Sequence, residues 1–340
     1  ETTSRPIREN LEEHGLEVHQ VSVTSEPSVA SVNSALHQII GAQYSAVIAC
    51  GGGSVLDTAK ALRFCLELGS ELPEDIGTIE KHSLESSSKI VLVAMPTTAG
   101  TGAEVTSNAV LGLTGSKASL RGRRLFPSVA LVDPTLFASA PKAVAIGAGL
   151  DALTQTIEAF TSRLATPFTD AITEPNVRLG AQALRKVAER GDEEAWTQMG
   201  WVSLSSGIAL ANGGLGAAHG LAAVVGGRYD APHGLLCGRL LGPVLSKNRS
   251  TAEIGSDAFR KIEHCIEVLT EIFPSGHGHD ELSGLGIWLK QYQVPRLRDY
   301  CPDRRDFDEI SEAAVFASSS TKNAVLLKKT DFREILDAAY

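Results

Sequence analysis

A chain of 340 residues, 43% hydrophobic and 21% charged, has the make-up of a globular protein with room for two domains, which excludes a disordered or fibrous one. A formal charge of −9, with no run of Lys or Arg interleaved with aromatics, argues against a nucleic-acid partner, and "RGRR" at 121–124 reads as a solvated loop. No run approaches the roughly 18 apolar residues of a membrane helix. No charged-then-apolar leader opens the chain. Five scattered cysteines (50, 65, 237, 265, 301), never in a CxxC pair, read as idle thiols of a reducing compartment. The expectation is a cytoplasmic protein with no membrane and no nucleic-acid partner.

The first predicted elements alternate. A helix over 5–14 precedes a β-rich run at 16–23 (LEVHQVSV), and a helix over 28–42 precedes an apolar run at 44–50 (YSAVIAC). A helix over 54–70 then precedes 89–96 (KIVLVAMP), and 129–134 (VALVDP) closes the series. Short runs that are apolar nearly throughout, separated by helices, predict a parallel sheet covered on both faces. Such a domain normally begins with a strand, so the natural beginning is expected upstream of residue 1. From about 143 the strand signals stop. Amphipathic patterns follow at 143–163, 167–190, 193–213, 216–227, 233–247, 254–273, 279–293, 306–319 and 330–339. The fold class is an α/β N-terminal domain with a parallel sheet, residues 1–142, and an all-α C-terminal domain, residues 143–340, with the change near Val132-Asp133-Pro134 and "APKAV" (140–144).

Three stretches carry groups suited to chemistry. In "AVIACGGGSVLDTAKAL" (46–62) an apolar strand runs into Gly51-Gly52-Gly53-Ser54 and a helix starts at once. Backbone without Cβ lets a phosphate approach, and the N–H groups and dipole of a helix N-terminus attract it. The same residues also suit a tight turn with Ser54 as N-cap and Asp57 completing a capping pattern. "MPTTAGTGAEVTSNAVL" (95–111) follows another strand with Thr97, Thr98, Thr101 and Thr106, small donors at the edge where open α/β sheets bind ligands. Read alone, it is a polar loop.

The third stretch, "GLGAAHGLAAVVGGRYDAPHGLLCG" (214–238), holds His219 and His233 in apolar surroundings. Each alone reads as a core histidine. Joined by Asp151, they make an N/N/O set for a divalent metal with a position left for substrate. Asp151 lies in "GLDALTQTIEAF" (149–160), where Asp151, Gln155 and Glu158 share one helix line beside the apolar stripe of Leu150, Leu153, Ile157 and Phe160. His277 and His279, in a polar loop, read as incidental.

Taken in order, "GGGSVLDTAK", "MPTTAGTGAEVT", "LVDPTL", "GLDALTQTIEAFTS", "PFTDA", "GLGAAHGLAAVVGG" and "PHG" make nearly the whole chain resemble the iron-containing (group III) alcohol dehydrogenase family, of the dehydroquinate-synthase-like fold. The resemblance implies a dinucleotide-binding domain at 1–142, a helical metal and substrate domain at 143–340, an active site in the cleft between them, and a homodimer. It implies NAD or NADP, with Gly52, Gly53 and Ser54 at the pyrophosphate, Asp57 on the following helix, and Thr97, Thr98, Thr101 and Thr106 in a second cofactor loop. Lys117 in "TGSKASL" matches a lysine near the nicotinamide ribose. The resemblance also implies Fe2+ or Zn2+ on Asp151, His219 and His233, the catalytic set. The metal would act as a Lewis acid for hydride transfer between the nicotinamide and a small alcohol or aldehyde.

The departures are specific. The family's Asp-Ala-x-x-His ends here in Gln155, a neutral, hard amide where imidazole suits iron and zinc. Gln155 is expected as a weak ligand or a hydrogen-bonder to the ligands, with weaker iron retention and zinc as the alternative, a pattern similar to that of glycerol dehydrogenases. The family's HGxxH ends in Ala223, which removes a proton-relay group. Arg228 is expected either to face the cleft and pair with an anionic substrate or to be a solvent-exposed arginine at a helix end. Three further readings stand beside the main one. They are a maleylacetate-reductase-like enzyme with little metal dependence, a dehydroquinate-synthase-like cyclase or lyase, and a non-catalytic nucleotide-binding descendant.

Overall fold

The computed structural model describes residues 3–113, 116–229, 231–275, 281–301 and 303–340. They fall into two units, Glu1–Thr98 with Ala103–Ser139, and Ala99–Gly102 with Ala140–Tyr340.

In the first unit α1 (Arg5–Glu13) and α2 (Val29–Ile39) precede β1 (Ala46–Gly51), which runs straight into α3 (Gly53–Leu68). α4 (Lys81–Glu85) leads to β2 (Val91–Pro96), and β3 (Asn108–Leu113) with β4 (Ser116–Arg121) forms an antiparallel hairpin. β5 (Val129–Ala130) and α5 (Pro134–Phe137) complete the unit. The sheet is parallel in the order β1-β2-β5, registered from Ala46 opposite Val91 to Gly51 opposite Pro96.

α3 is covered on two sides. Leu56 and Ala59 pack against Ala49, Leu92 and Ala94 of the strands. Phe64 and Cys65 meet Leu36 of α2 and Leu111 and Leu120 of the hairpin. A helix sandwiched this way must pair its charges internally. Lys60, 0% exposed, donates to Asp57 Oδ1 (3.3 Å), Thr106 Oγ1 (3.0 Å) and the Asn108 carbonyl (2.7 Å).

Two expectations in this unit change. The run at 16–23 forms no strand, because an outer strand must bury one face to hold its register, and here only Val18, Val21 and Val23 are even half-buried. The last strand is only Val129–Ala130, since Asp133 turns to cap α5, its Oδ1 accepting from Thr135 N at 2.9 Å with Pro134 opening the helix.

The second unit is helical throughout its described residues. α6 (Lys142–Thr161), α7 (Pro167–Glu189), α8 (Glu193–Gly213), α9 (Ala217–Tyr229) and α10 (His233–Thr251) are followed by α11 (Asp257–Ile272), α12 (Ser283–Gln291), α13 (Leu297–Tyr300), α14 (Phe307–Phe316) and α15 (Lys329–Ala339). Local signals start several of them. Thr166 and Thr169 form a capping box ahead of α7, and Asp192 accepts from Ala195 N (2.8 Å) to start α8.

α6 is packed by α7, α8 and α10, and every residue from Gly149 to Thr161 is buried. The short strip Ala99–Gly102 belongs to this unit. A Cβ on Gly100 would lie 2.8 Å from Ala148 Cα, and one on Gly102, whose φ is +60°, would lie 2.5 Å from Gly207 Cα. Among the described residues no single helix is long and apolar enough to cross a membrane.

Candidate metal centre

A helix with no solvent face has nowhere to send a polar line except inward. Asp151, Gln155 and Glu158 of α6 are all buried. Between α8 and α9 the chain bends by 98°, and the N–H groups at the start of α9 meet Glu158. Gly216 N donates to Oε2 (2.9 Å), Ala218 N to Oε1 (2.6 Å) and His219 N to Oε2 (3.4 Å), while Asn323 Oδ1 takes Ala217 N (3.1 Å). One carboxylate therefore satisfies the orphan donors and the positive end of α9. The same carboxylate orients a ring, since His219 Nδ1 donates to Glu158 Oε2 at 2.7 Å. That leaves Nε2 directed at Asp151 Oδ1, 3.1 Å away.

α10 starts at His233, after Pro232. Its glycines seat it directly on α6, for a Cβ on Gly234 would lie 2.1 Å from the Gly147 carbonyl oxygen and 3.1 Å from Asp151 Cβ. This approach carries His233 and Cys237, one helical turn apart, to Asp151. His233 Nε2 lies 3.6 Å from Cys237 Sγ, and the two histidine rings stand edge to face at 5.4 Å. The donor atoms of Asp151, His219, His233 and Cys237 all fall within 4.8 Å of one another. His233 alone of the four is only half-buried.

The four groups shift one another's titration. Burial alone would raise Asp151, but the His219 hydrogen bond, the nearby His233 and the Gln155 amide hold its carboxyl below the ordinary value. Burial disfavours charge on His219, yet Cys237, Asp151 and Glu158 raise it well above the ordinary histidine range. Cys237 raises His233 against the opposing effect of burial. The Cys237 thiol, which burial would push up, is brought down by the two histidines.

Gln155 Nε2 donates to the Gly100 carbonyl (3.0 Å), while its Oε1 is buried without a hydrogen-bond partner. An orphaned amide oxygen beside oxygen, nitrogen and sulfur donors fits a divalent cation of borderline softness.

Of the expected cofactor residues, Gly52 is the N-cap of α3, and Gly53 and Ser54 form its first turn, which has no side-chain cap. The N-cap is thus Gly52, not Ser54. Thr97 N donates to the Gly51 carbonyl (2.9 Å), and Thr98 Oγ1 lies 3.3 Å from where a Gly52 Cβ would be. Gly52, Gly53, Ser54, Thr97 and Thr98 therefore share the C-terminal edge of β1 and β2. Thr101 lies in the strip counted with the helical unit.

Asp57 and Thr106 are engaged by a buried lysine. Asp57 binds Lys60 and takes Val110 N (2.9 Å), and the buried Thr106 hydroxyl accepts from Lys60. A fully buried ammonium demands these acceptors, and the half-buried Asp57 and the buried Thr106 supply them.

Arg228 is exposed at the end of α9, as one of its two expected placements has it. Its Nη1 donates to Glu309 Oε2 (2.8 Å) and its Nη2 to Asp306 Oδ1 (3.1 Å), so two carboxylates already match its charge. Ala223 is exposed, one turn past His219. The side chain of Lys117 and residues His277 and His279 lie outside the described residues. Sequence reasoning missed two members of the centre. Cys237 signalled itself only by following His233 at i+4, and Glu158 only by its line with Asp151.

Comparison with known proteins agrees over nearly the whole chain. The family model for iron-containing alcohol dehydrogenase matches residues 2–134, and that for the C-terminal part of the Fe-containing alcohol dehydrogenase family matches 145–340. An alcohol dehydrogenase of Thermococcus barophilus is 31% identical over 97% of this chain and 86% of its own length. An NADPH-dependent butanol dehydrogenase of Clostridium saccharobutylicum is 30% identical over the same shares, 97% and 86%. The crystal structure of a 1,3-propanediol oxidoreductase superposes with a TM-score of 0.82 at 27% identity, over 100% of this chain and 89% of that one.

Proposed function

Since the chain belongs to the iron-containing alcohol dehydrogenase family, and is thereby an alcohol or aldehyde oxidoreductase, we propose that it moves hydride reversibly between a nicotinamide dinucleotide and a small alcohol or aldehyde beside a divalent metal on Asp151, His219 and His233. The observation that carries this reading is the convergence of these three side chains, from three helices, within 4.8 Å. The bound groups supply the chemistry: the nicotinamide carries the hydride, and the cation is a Lewis acid for the alcohol or carbonyl oxygen.

The chain's own residues do the rest. The uncapped first turn of α3, at Gly52, Gly53 and Ser54, offers N–H groups and a helix dipole to the pyrophosphate, with the Thr97 and Thr98 hydroxyls beside it. Glu158 holds the His219 Nδ1 proton, so that Nε2 keeps its lone pair for the metal. The Gln155 amide steadies the Asp151 carboxylate. Burial of Asp151 keeps its charge poorly screened and therefore strong. With alanine at 223, no ionisable side chain stands one turn beyond His219.

The test is turnover by protein loaded with Fe(II) or Zn(II), given NADH or NADPH and a panel of neutral and anionic aldehydes, then alcohols with the oxidised dinucleotides. Stoichiometric consumption of one dinucleotide, lost in Asp151→Ala, is expected. No turnover with either dinucleotide under any loading refutes the reading, as does dinucleotide that is required but never consumed.

A further inference from the structure

We propose that Cys237 is a fourth protein donor to this metal, as a thiolate, which makes the centre an Asp/His/His/Cys site that takes zinc in preference to ferrous iron and admits the substrate oxygen as a fifth ligand. The proposal rests on the reading that a divalent cation binds beside Asp151, His219 and His233.

Three observations carry it. The first is metrical. Zinc bonds of about 2.0–2.1 Å to nitrogen or oxygen and about 2.3 Å to sulfur, at tetrahedral angles, set nitrogen and sulfur about 3.5 Å apart and nitrogen and oxygen about 3.3 Å apart. The cluster shows 3.6 Å between His233 Nε2 and Cys237 Sγ, and 3.1 Å between His219 Nε2 and Asp151 Oδ1. These two separations match tetrahedral edges, and all four donor atoms lie within 4.8 Å of one another.

The second observation is that the backbone cannot carry the thiol away. Cys237 is buried between Gly234 and Gly238, and a Cβ on Gly238 would lie 2.6 Å from Leu150 Cδ2. α10 is thus fixed on α6 at the turn that bears Asp151. Gln155, which stands where the family places a histidine, has its amide nitrogen tied to the Gly100 carbonyl at 3.0 Å. Its Oε1 is left without a hydrogen-bond partner, and the thiol supplies the anionic donor that a neutral amide cannot.

The third observation is charge. A dication held by Asp151 alone leaves one positive charge uncompensated in a buried site, which is costly. Glu158 is engaged with the α9 N-terminus and with His219 Nδ1. A Cys237 thiolate brings the metal and its protein ligands to neutrality, and metal coordination itself removes the thiol proton. Thiolate ligands select zinc over harder-ligand ions by softness.

The experiment uses the full chain, stripped with a chelator and reloaded with Co(II) as a spectroscopic probe. A near-ultraviolet thiolate-to-cobalt charge-transfer band is expected in the parent and absent in Cys237→Ser. X-ray absorption on zinc-loaded parent protein needs no variant, and it should show one sulfur neighbour at about 2.3 Å. Under anaerobic competition with equal Zn(II) and Fe(II), zinc should occupy the parent in excess, and Cys237→Ser should lose at least about tenfold of that preference. Metal bound with a shell of nitrogen and oxygen only overturns this proposal and leaves the metal reading intact. Iron in excess overturns the zinc preference. Protein that binds neither cobalt nor zinc overturns both the proposal and the reading beneath it.

Discussion

Glu158→Gln isolates the charge of one buried carboxylate at nearly constant volume. Glu158 receives Gly216 N and His219 Nδ1 on one oxygen and Ala218 N on the other, at 2.9, 2.7 and 2.6 Å. An amide keeps only one acceptor oxygen, so one of these donor groups must face an NH2. Losing one charge-assisted hydrogen bond costs about 1.5–3 kcal/mol. Losing the negative charge at the N-terminus of α9 adds about 1 kcal/mol. The expected destabilisation is about 2.5–4 kcal/mol, and at about 2–4 °C per kcal/mol for a unit of 150–250 residues Tm falls by about 5–16 °C. Calorimetry of metal-free parent and variant reads this directly. Titration of Zn(II) against a chromophoric chelator should show affinity falling by about 10–100-fold, because the His219 tautomer is no longer held. A Tm within about 1 °C of the parent refutes the capping argument. A lowered Tm with unchanged zinc affinity refutes the orienting one.

Lys60→Met strands the Asp57 carboxylate in the first unit and should cost about 3–5 kcal/mol in urea denaturation, with partial recovery in Lys60→Met/Asp57→Asn; a loss under about 1 kcal/mol contradicts the burial argument. Arg228→Met should leave the ratio of KM values for anionic and neutral aldehydes unchanged, because Asp306 and Glu309 already hold the guanidinium, and a selective rise for anionic aldehydes would overturn that. Glu67 gives a pH dependence. Burial pushes it up, but the Ser88 hydroxyl, the Ile90 and Lys89 amides and the Arg124 guanidinium bring it below its ordinary value. A depressed folded pKa contributes stability that is complete above the unfolded value of about 4.3 and is lost as pH falls through the folded one. Glu67→Gln should therefore be less stable than the parent at neutral pH and equal to it in strong acid, and a gap that widens on acidification in denaturation curves refutes the assignment.

What the sequence could reveal was local. The helix line Asp151–Gln155–Glu158 is readable from spacing, but its burial depends on α7, α8 and α10, which come later in the chain. Asp151 and His219 meet across 68 residues, and no periodicity announces that; the order of family motifs does. Cys237 was readable as one turn from His233, yet "LLC" looks like core, and it is core as well. Arg228 finds Glu309 81 residues on, so its engagement was invisible. The burial of Lys60 depends on the β3–β4 hairpin, which comes later in the chain and brings Thr106 and the Asn108 carbonyl to it. The hairpin was not anticipated: its first strand begins inside the stretch 95–111 read as a polar loop, and Asn108–Leu113 and Ser116–Arg121 pair beyond it.

The strip Ala99–Gly102 has a consequence for how the gene can be cut. The helical unit is not one uninterrupted stretch of code, because four of its residues are written ahead of the rest, between β2 and the hairpin. A fragment begun at residue 140 would lack the backbone that fills the seam along Ala148 and Gly207, and Gln155 would lose the Gly100 carbonyl. During synthesis the strip emerges first and must wait for α6 and α8 before it has anything to lie against. The helical half is therefore not a detachable module, and a recombination joint placed at 139/140 would sever it from a piece of itself.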